Sequence, residues 1–113
     1  IDTEETCLLI YPRPEWEDIQ RRVENLSSFE VASRRVQRLL IGHATDIQMD
    51  GSGRILLTPP LREYAQLDKK GVLLGQGAKL ELWNEEHWLA RRDAWLSDPT
   101  SLEIPDELKS LSL

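Results

Sequence analysis

The sequence predicts an α+β protein built from two tandem repeats, with helices inserted between them and following the second. Three observations point there. Gln48 to Pro59 sets a glycine-rich turn between two apolar stretches and reads as strand, tight turn, strand, short helix. Leu8 to Trp16 lines up with Leu80 to Trp88 at an offset of 72 residues, each copy reading as apolar strand, aromatic residue, polar bend and helix. Between and after these copies, apolar residues recur at helical spacing.

The elements come in chain order. Cys7 to Tyr11 is an apolar run of strand length, closed by Pro12 and Pro14. Trp16, Ile19, Val23 and Leu26 fall on one face of the helix that the prolines open. Ser27 and Glu30 have capping-box spacing for a second helix. That helix should run to Ile41 or Gly42, with Val36, Leu39, Leu40 and His43 toward a core and its arginines outward. In the central hairpin, Asp50 and Arg54 bound the Gly51-Ser52-Gly53 turn, close enough for their side chains to pair across it. Thr58 then caps a helix led by Pro59 and ending near Ala65. Leu67 to Lys70 is a polar turn. Val72 to Leu74 and Lys79 to Trp83 are strands joined through Gly75-Gln76-Gly77, and Asn84 caps a last main helix with Trp88, Leu89, Trp95 and Leu96. Beyond Pro99 the tail is short of core residues and is expected to pack loosely or on a neighbour.

Composition bounds the function. The 113 residues suffice for one ordinary domain. No apolar run approaches the ~18–20 residues of a membrane helix, and no signal peptide is visible, so a cytoplasmic protein without membrane contact is expected. One cysteine excludes an intrachain disulfide and a cysteine-rich metal site, and Cys7 in a strand reads as a small buried hydrophobe. His43 and His87 stand alone, without ligand spacing. No nucleophile has an evident base beside it, so no enzyme activity, cofactor or metal is expected. The net charge of −6 argues against nucleic acid, but the charges segregate. Arginines cluster at 21, 22, 34, 35 and 38, while acids crowd the two ends.

One series of motifs is specific. Arg34-Arg35-Val36-Gln37-Arg38-Leu39-Leu40-Ile41-Gly42-His43-Ala44, the Asp50-x-x-x-Arg54 hairpin, Leu74-Gly75-Gln76, Leu80 to Trp83 and the leucine-rich end at Leu108 to Leu113 closely resemble the MraZ family of bacterial transcriptional regulators. That family belongs to the SpoVT-AbrB-like swapped-hairpin group. The resemblance implies a small barrel of swapped hairpins built from two repeats. It divides the chain into the end of the first repeat (1–13), an inter-repeat helical segment (14–43), the second repeat (44–87) and a C-terminal helix and tail (88–113). By the 72-residue offset, the counterpart of Asp50 would fall at position −22, ahead of Ile1. The first repeat is therefore expected to be truncated here, with a basic upstream segment carrying a second Asp-x-x-x-Arg.

The resemblance further implies a sequence-specific DNA-binding regulator, a repressor, of a cell-division and cell-wall gene cluster that includes its own gene. It would be associated with the nucleoid, and its partners would be double-stranded DNA carrying direct repeats and further copies of itself in a ring. Arg54 is the first candidate for DNA contact, because a guanidinium fork fits guanine or phosphate. Asp50 would orient it and Ser52 would stand beside it. Arg34, Arg35 and Arg38 form either a second DNA surface or a face that meets Asp and Glu of the next subunit. The rivals are an AbrB-type antitoxin and an oligomeric interaction module that binds no DNA.

Overall fold

The computed structural model describes residues 1–100 and 104–111. The elements, in order, are β1 (Leu8–Ile10), α1 (Arg13–Glu24), α2 (Val31–Val36) with a π-helical continuation (Gln37–Ile41), α3 (Pro59–Ala65), β2 (Gly71–Gly75), β3 (Leu80–Asn84), α4 (Glu85–Ser97) and a 3₁₀ segment (Asp106–Leu111). The α+β class is as the sequence predicts. The three strands form one antiparallel sheet in the order β1-β3-β2.

The register of the sheet exposes the repeat. Leu9 stands opposite Glu81, its own counterpart at the 72-residue offset. On either side the pairs cross over, Leu8 with Leu82 and Ile10 with Leu80. The two repeats therefore meet about a local two-fold axis through the centre of the β1–β3 ladder. The next elements obey the same offset, since α1 starts at Arg13 and α4 at Glu85. So do the aromatic contacts: Tyr11 lies 6.2 Å from Trp16, and Trp83 lies 5.4 Å from Trp88.

Local chemistry explains most boundaries. Pro14 sits in the first turn of α1, where its missing N–H costs nothing. Asn84 caps α4 by accepting the His87 N–H at 3.0 Å. Gln66 ends α3 in the left-handed region, at φ 55°. The Ser27–Glu30 capping box does not form. Glu30 is itself the cap position of α2, one turn too early for the reciprocal bond, and its carboxylate takes the Ser33 hydroxyl at 3.4 Å. Past Val36 the helix widens to π geometry, held to the end of α1 by Gln37 Nε2, which donates to the Val23 and Leu26 carbonyls at 3.2 and 3.3 Å. The wider turn and the stop at Gly42 carry His43 off the apolar face. His43 is exposed, with Nδ1 3.2 Å from the Leu39 carbonyl oxygen, and not in the core where its spacing put it. A Cβ on Gly42 would collide with the Arg38 carbonyl, so glycine is required there.

The core is small. Leu8, Leu61 and Ala65 are buried together, packed by Ile1, Leu57, Tyr64, Leu67 and Leu82. Trp83, 1% exposed, anchors a second cluster in which His87, Trp88 and Trp95 meet it edge-on. Arg91 lies over Trp95 and grips Glu5 with two nitrogens, at 2.6 and 3.1 Å. The Tyr64 hydroxyl reaches the Asp2 and Glu5 carbonyls at 3.0 and 3.2 Å. These contacts fasten the start of the chain to α3 and α4.

The central hairpin is realised only at its tip. The turn is present, but residues 44–49 and 54–58 form no strand, and a single backbone bond, Asp50 N–H to Arg54 carbonyl at 2.8 Å, joins the two arms. Neither arm has a ladder partner among the described residues. Ile47, Met49, Ile55 and Leu56 are accordingly exposed, Leu56 at 83%. The radius of gyration, 16.3 Å, exceeds the ~13 Å of a closed domain of this length. The tail agrees with its expectation as far as it is described: Leu108 and Leu111 are exposed, while Ser112 and Leu113 lie outside the described residues.

Trp83→Ala should lower the unfolding free energy by about 3–5 kcal/mol, as large core truncations do. Leu56→Ala should stay within about 0.5 kcal/mol. Urea titration followed by circular dichroism measures both.

Candidate nucleic-acid interface

The Asp50–Arg54 turn is built by one oxygen. Asp50 Oδ1 accepts the Ser52 N–H at 2.9 Å and the Arg54 N–H at 2.8 Å. The Gly53 N–H closes on the Asp50 carbonyl at 3.1 Å, with Gly53 at φ 79°, a conformation that glycine adopts without a Cβ clash. The side-chain ion pair expected between Asp50 and Arg54 is absent among the described residues. The carboxylate is spent on backbone N–H groups, and its bond to Arg54 is to the main chain. The Arg54 guanidinium is exposed, with no ion pair or hydrogen bond among the described residues, and the Ser52 hydroxyl beside it is likewise unengaged. A locked main chain thus carries a free planar cation and a free hydroxyl at its tip.

The other cations sort into two sets. Arg13 pairs with Glu17 and with Asp46 at the foot of the hairpin arm. Arg21 and Arg22 share Asp18, Arg91 holds Glu5, and Arg92 meets Asp93. Arg34, Arg35 and Arg38 are exposed and carry no ion pair among the described residues. Of the arginine cluster read from sequence, the 21–22 half is therefore neutralised locally and the 34–38 half is not.

Between the hairpin arms, β1, α1 and the π-helical segment lies an open cavity of about 980 Å³, walled by Leu8, Ile10, Trp16, Ile47, Ile55 and Leu57 among others. It is not evident from the residues alone. Its signal in the sequence is the apolar content of both arms.

Asp2, Cys7 and Glu81 bring their donor atoms within 4.8 Å of one another. Each carboxylate is already engaged: Asp2 takes the Thr3 and Glu5 N–H groups, and Glu81 takes the Trp83 indole N–H. Burial, with the negative charges of Glu81, Asp2 and Glu5, pushes the Cys7 thiol up to about 12. Cys7 is fully buried and behaves as the small hydrophobe the sequence suggested. His87 sits half-buried against Trp83, its Nδ1 without a partner among the described residues.

Because the folded thiol holds its proton more tightly, its stabilising contribution is present below pH 9 and is lost as pH rises to about 12. Chemical denaturation at pH 8 and pH 11 should show that loss, and Cys7→Ala should lack it. Iodoacetamide at pH 8 should leave the folded thiol unmodified.

Comparison with known proteins places the chain. The family model described as "MraZ protein, putative antitoxin-like" matches residues 1–39 and again residues 40–97. A transcriptional regulator MraZ of Coxiella burnetii (strain Dugway 5J108-111) is 56% identical over 115 residues, covering all of this chain and 76% of its own. Proteins of the same name from Legionella pneumophila (strain Corby) and Alkalilimnicola ehrlichii are 50% and 53% identical, again over the whole of this chain and over 76% and 75% of theirs.

Proposed function

The chain belongs to the MraZ family, and we propose that it is a transcriptional regulator that grips double-stranded DNA through the Arg54 turn. One observation carries the reading. Asp50 fixes the main chain of the turn and leaves the Arg54 guanidinium unpaired at an exposed tip. The fixed main chain leaves only the side chain to be ordered on binding, and its fork fits the O6 and N7 edge of guanine or a phosphate. Ser52 would add a hydroxyl contact to the backbone. The mechanism is recognition without covalent chemistry.

The acidic total does not oppose this reading, because the negative charge lies elsewhere. Glu4, Glu15 and Glu86 are exposed on segments away from the turn sequence, and Asp18 is already matched by arginines. We assign the regulated genes to a cell-division and cell-wall cluster that includes the regulator's own gene, with repression as the direction. We take the acting form to be an assembly of copies. Head-to-tail association of such copies closes into a ring, and successive turns would then meet DNA in the same orientation. Direct repeats spaced near one helical turn, about 10 bp, are the consequence of that geometry. The antitoxin reading has the description of the matched family in its favour, and a regulator that shows no DNA affinity would leave it standing.

Arg54→Ala should weaken operator binding by about 1–3 kcal/mol, roughly 5- to 150-fold, with thermal stability unchanged. Asp50→Ala should weaken it too, whereas Asp50→Asn, which keeps an acceptor oxygen, should retain most affinity. Fluorescence anisotropy with promoter DNA measures all three. Footprinting should show directly repeated boxes, and inserting about half a helical turn between them should abolish joint protection.

A further inference from the structure

The 72-residue offset extends past the strand–helix units. It sets the α2 region, 31–41, against 103–113. Val36 then corresponds to Leu108 and Leu39 to Leu111, so the apolar spacing is kept. The charges are not: Arg34 corresponds to Asp106 and Arg35 to Glu107. The two segments are opposite in sign at these matched positions.

Both also lack cover. On the first, Phe29 is 99% exposed and Val31 82%, beside the unpaired Arg34, Arg35 and Arg38. On the second, Ile104, Leu108 and Leu111 are exposed, and Glu107 has no ion pair among the described residues. Asp106 is held only by Lys109 within the same segment, at 2.7 Å and open to water. Each surface therefore offers an apolar strip bordered by charges that the other complements. Such pairing steers association and fixes register.

We propose that residues 104–111 of one copy dock along residues 29–38 of the next copy. Asp106 and Glu107 then meet Arg34 and Arg35, and Leu108 and Leu111 cover Phe29 and Val31. The contact joins two different surfaces, so it is head-to-tail and propagates around a ring. It rests on the reading of the chain as an assembly, and it assigns the α2 arginines to protein contact, leaving DNA to Arg54.

The test is a charge exchange on the full chain, read by sedimentation without DNA and by anisotropy with promoter DNA. Arg34→Glu with Arg35→Glu should weaken self-association by about tenfold or more, and so should Asp106→Arg with Glu107→Arg. All four substitutions in one chain should restore association to within a few-fold of the original. Thermal melts should be unchanged, since every substituted site is exposed. Neutral Arg34→Gln with Arg35→Gln serves as the milder variant should the reversed one unfold. Three results would overturn the proposal: a monomeric parent chain, reversed arginines that leave association intact while DNA affinity falls, or a four-fold exchange that fails to rescue. Loss of Arg54-dependent DNA binding with rescue intact would strike the DNA reading alone.

Discussion

Everything in this chain hangs on three residue pairs between β1 and β3. They join segments 72 residues apart, so the loop they close is long and its entropy opposes them. Three pairs alone make a weak ladder. The ladder persists because the same neighbourhood is fastened from other directions. The bidentate Arg91–Glu5 pair ties α4 to the N-terminal segment, and the Tyr64 hydroxyl ties α3 to it. Trp83 buries the end of β3 under α4. The local two-fold axis through Leu9 and Glu81 is thus a packing fact as well as a sequence regularity. It sets α1 and α4 as equivalents and orients the segment that leaves the C-terminal end of each helix.

Away from that ladder, both arms of 44–58 stand over a cavity of about 980 Å³ with one backbone bond between them. Exposed Ile, Leu and Met along two adjacent arms form a patch of the kind that marks an interaction surface. Charge obeys a parallel logic. Where an acid lies one helical turn away, as Asp18 does for Arg21 and Arg22, the arginine is neutralised at little net gain. Where the nearby acid is engaged elsewhere, as Asp50 is by main-chain N–H groups and Glu30 by the Ser33 hydroxyl, the arginine four residues on stays available to a partner.

Much of this was legible in the residues. Proline placement, the Asn84 cap, the Gly75–Gly77 turn and the offset between Trp16 and Trp88 all have local causes, and local causes read well from sequence. The features that were not legible depend on distance or on a partner. The hairpin arms read as strands because their apolar content is that of strands, yet a strand needs a ladder and the described residues supply none. His43 fell on a 3.6-residue period that the π turn breaks, and nothing in Gln37 to Ile41 announces that turn without the Gln37 bond to α1. The Asp50–Arg54 spacing pointed to the right two residues and the wrong contact. Opposite charges four apart suggest a side-chain pair, but a short Asp at the start of a turn is better placed to take main-chain N–H groups. Sequence also hid the reach of Arg91 to Glu5, across 86 positions.

The proposed DNA recognition depends on Arg54 being an unpaired, exposed cation on a fixed main chain. Nitrogen-15 spectra of the arginine side chains, recorded as promoter DNA is added, address this directly. The Arg54 Nε–H resonance should be exposed to rapid solvent exchange in the free protein, then shift and gain protection on binding, while Arg91, held by Glu5, stays where it is. An Arg54 signal that is already protected without DNA, or that does not move when DNA saturates the protein, would contradict that role.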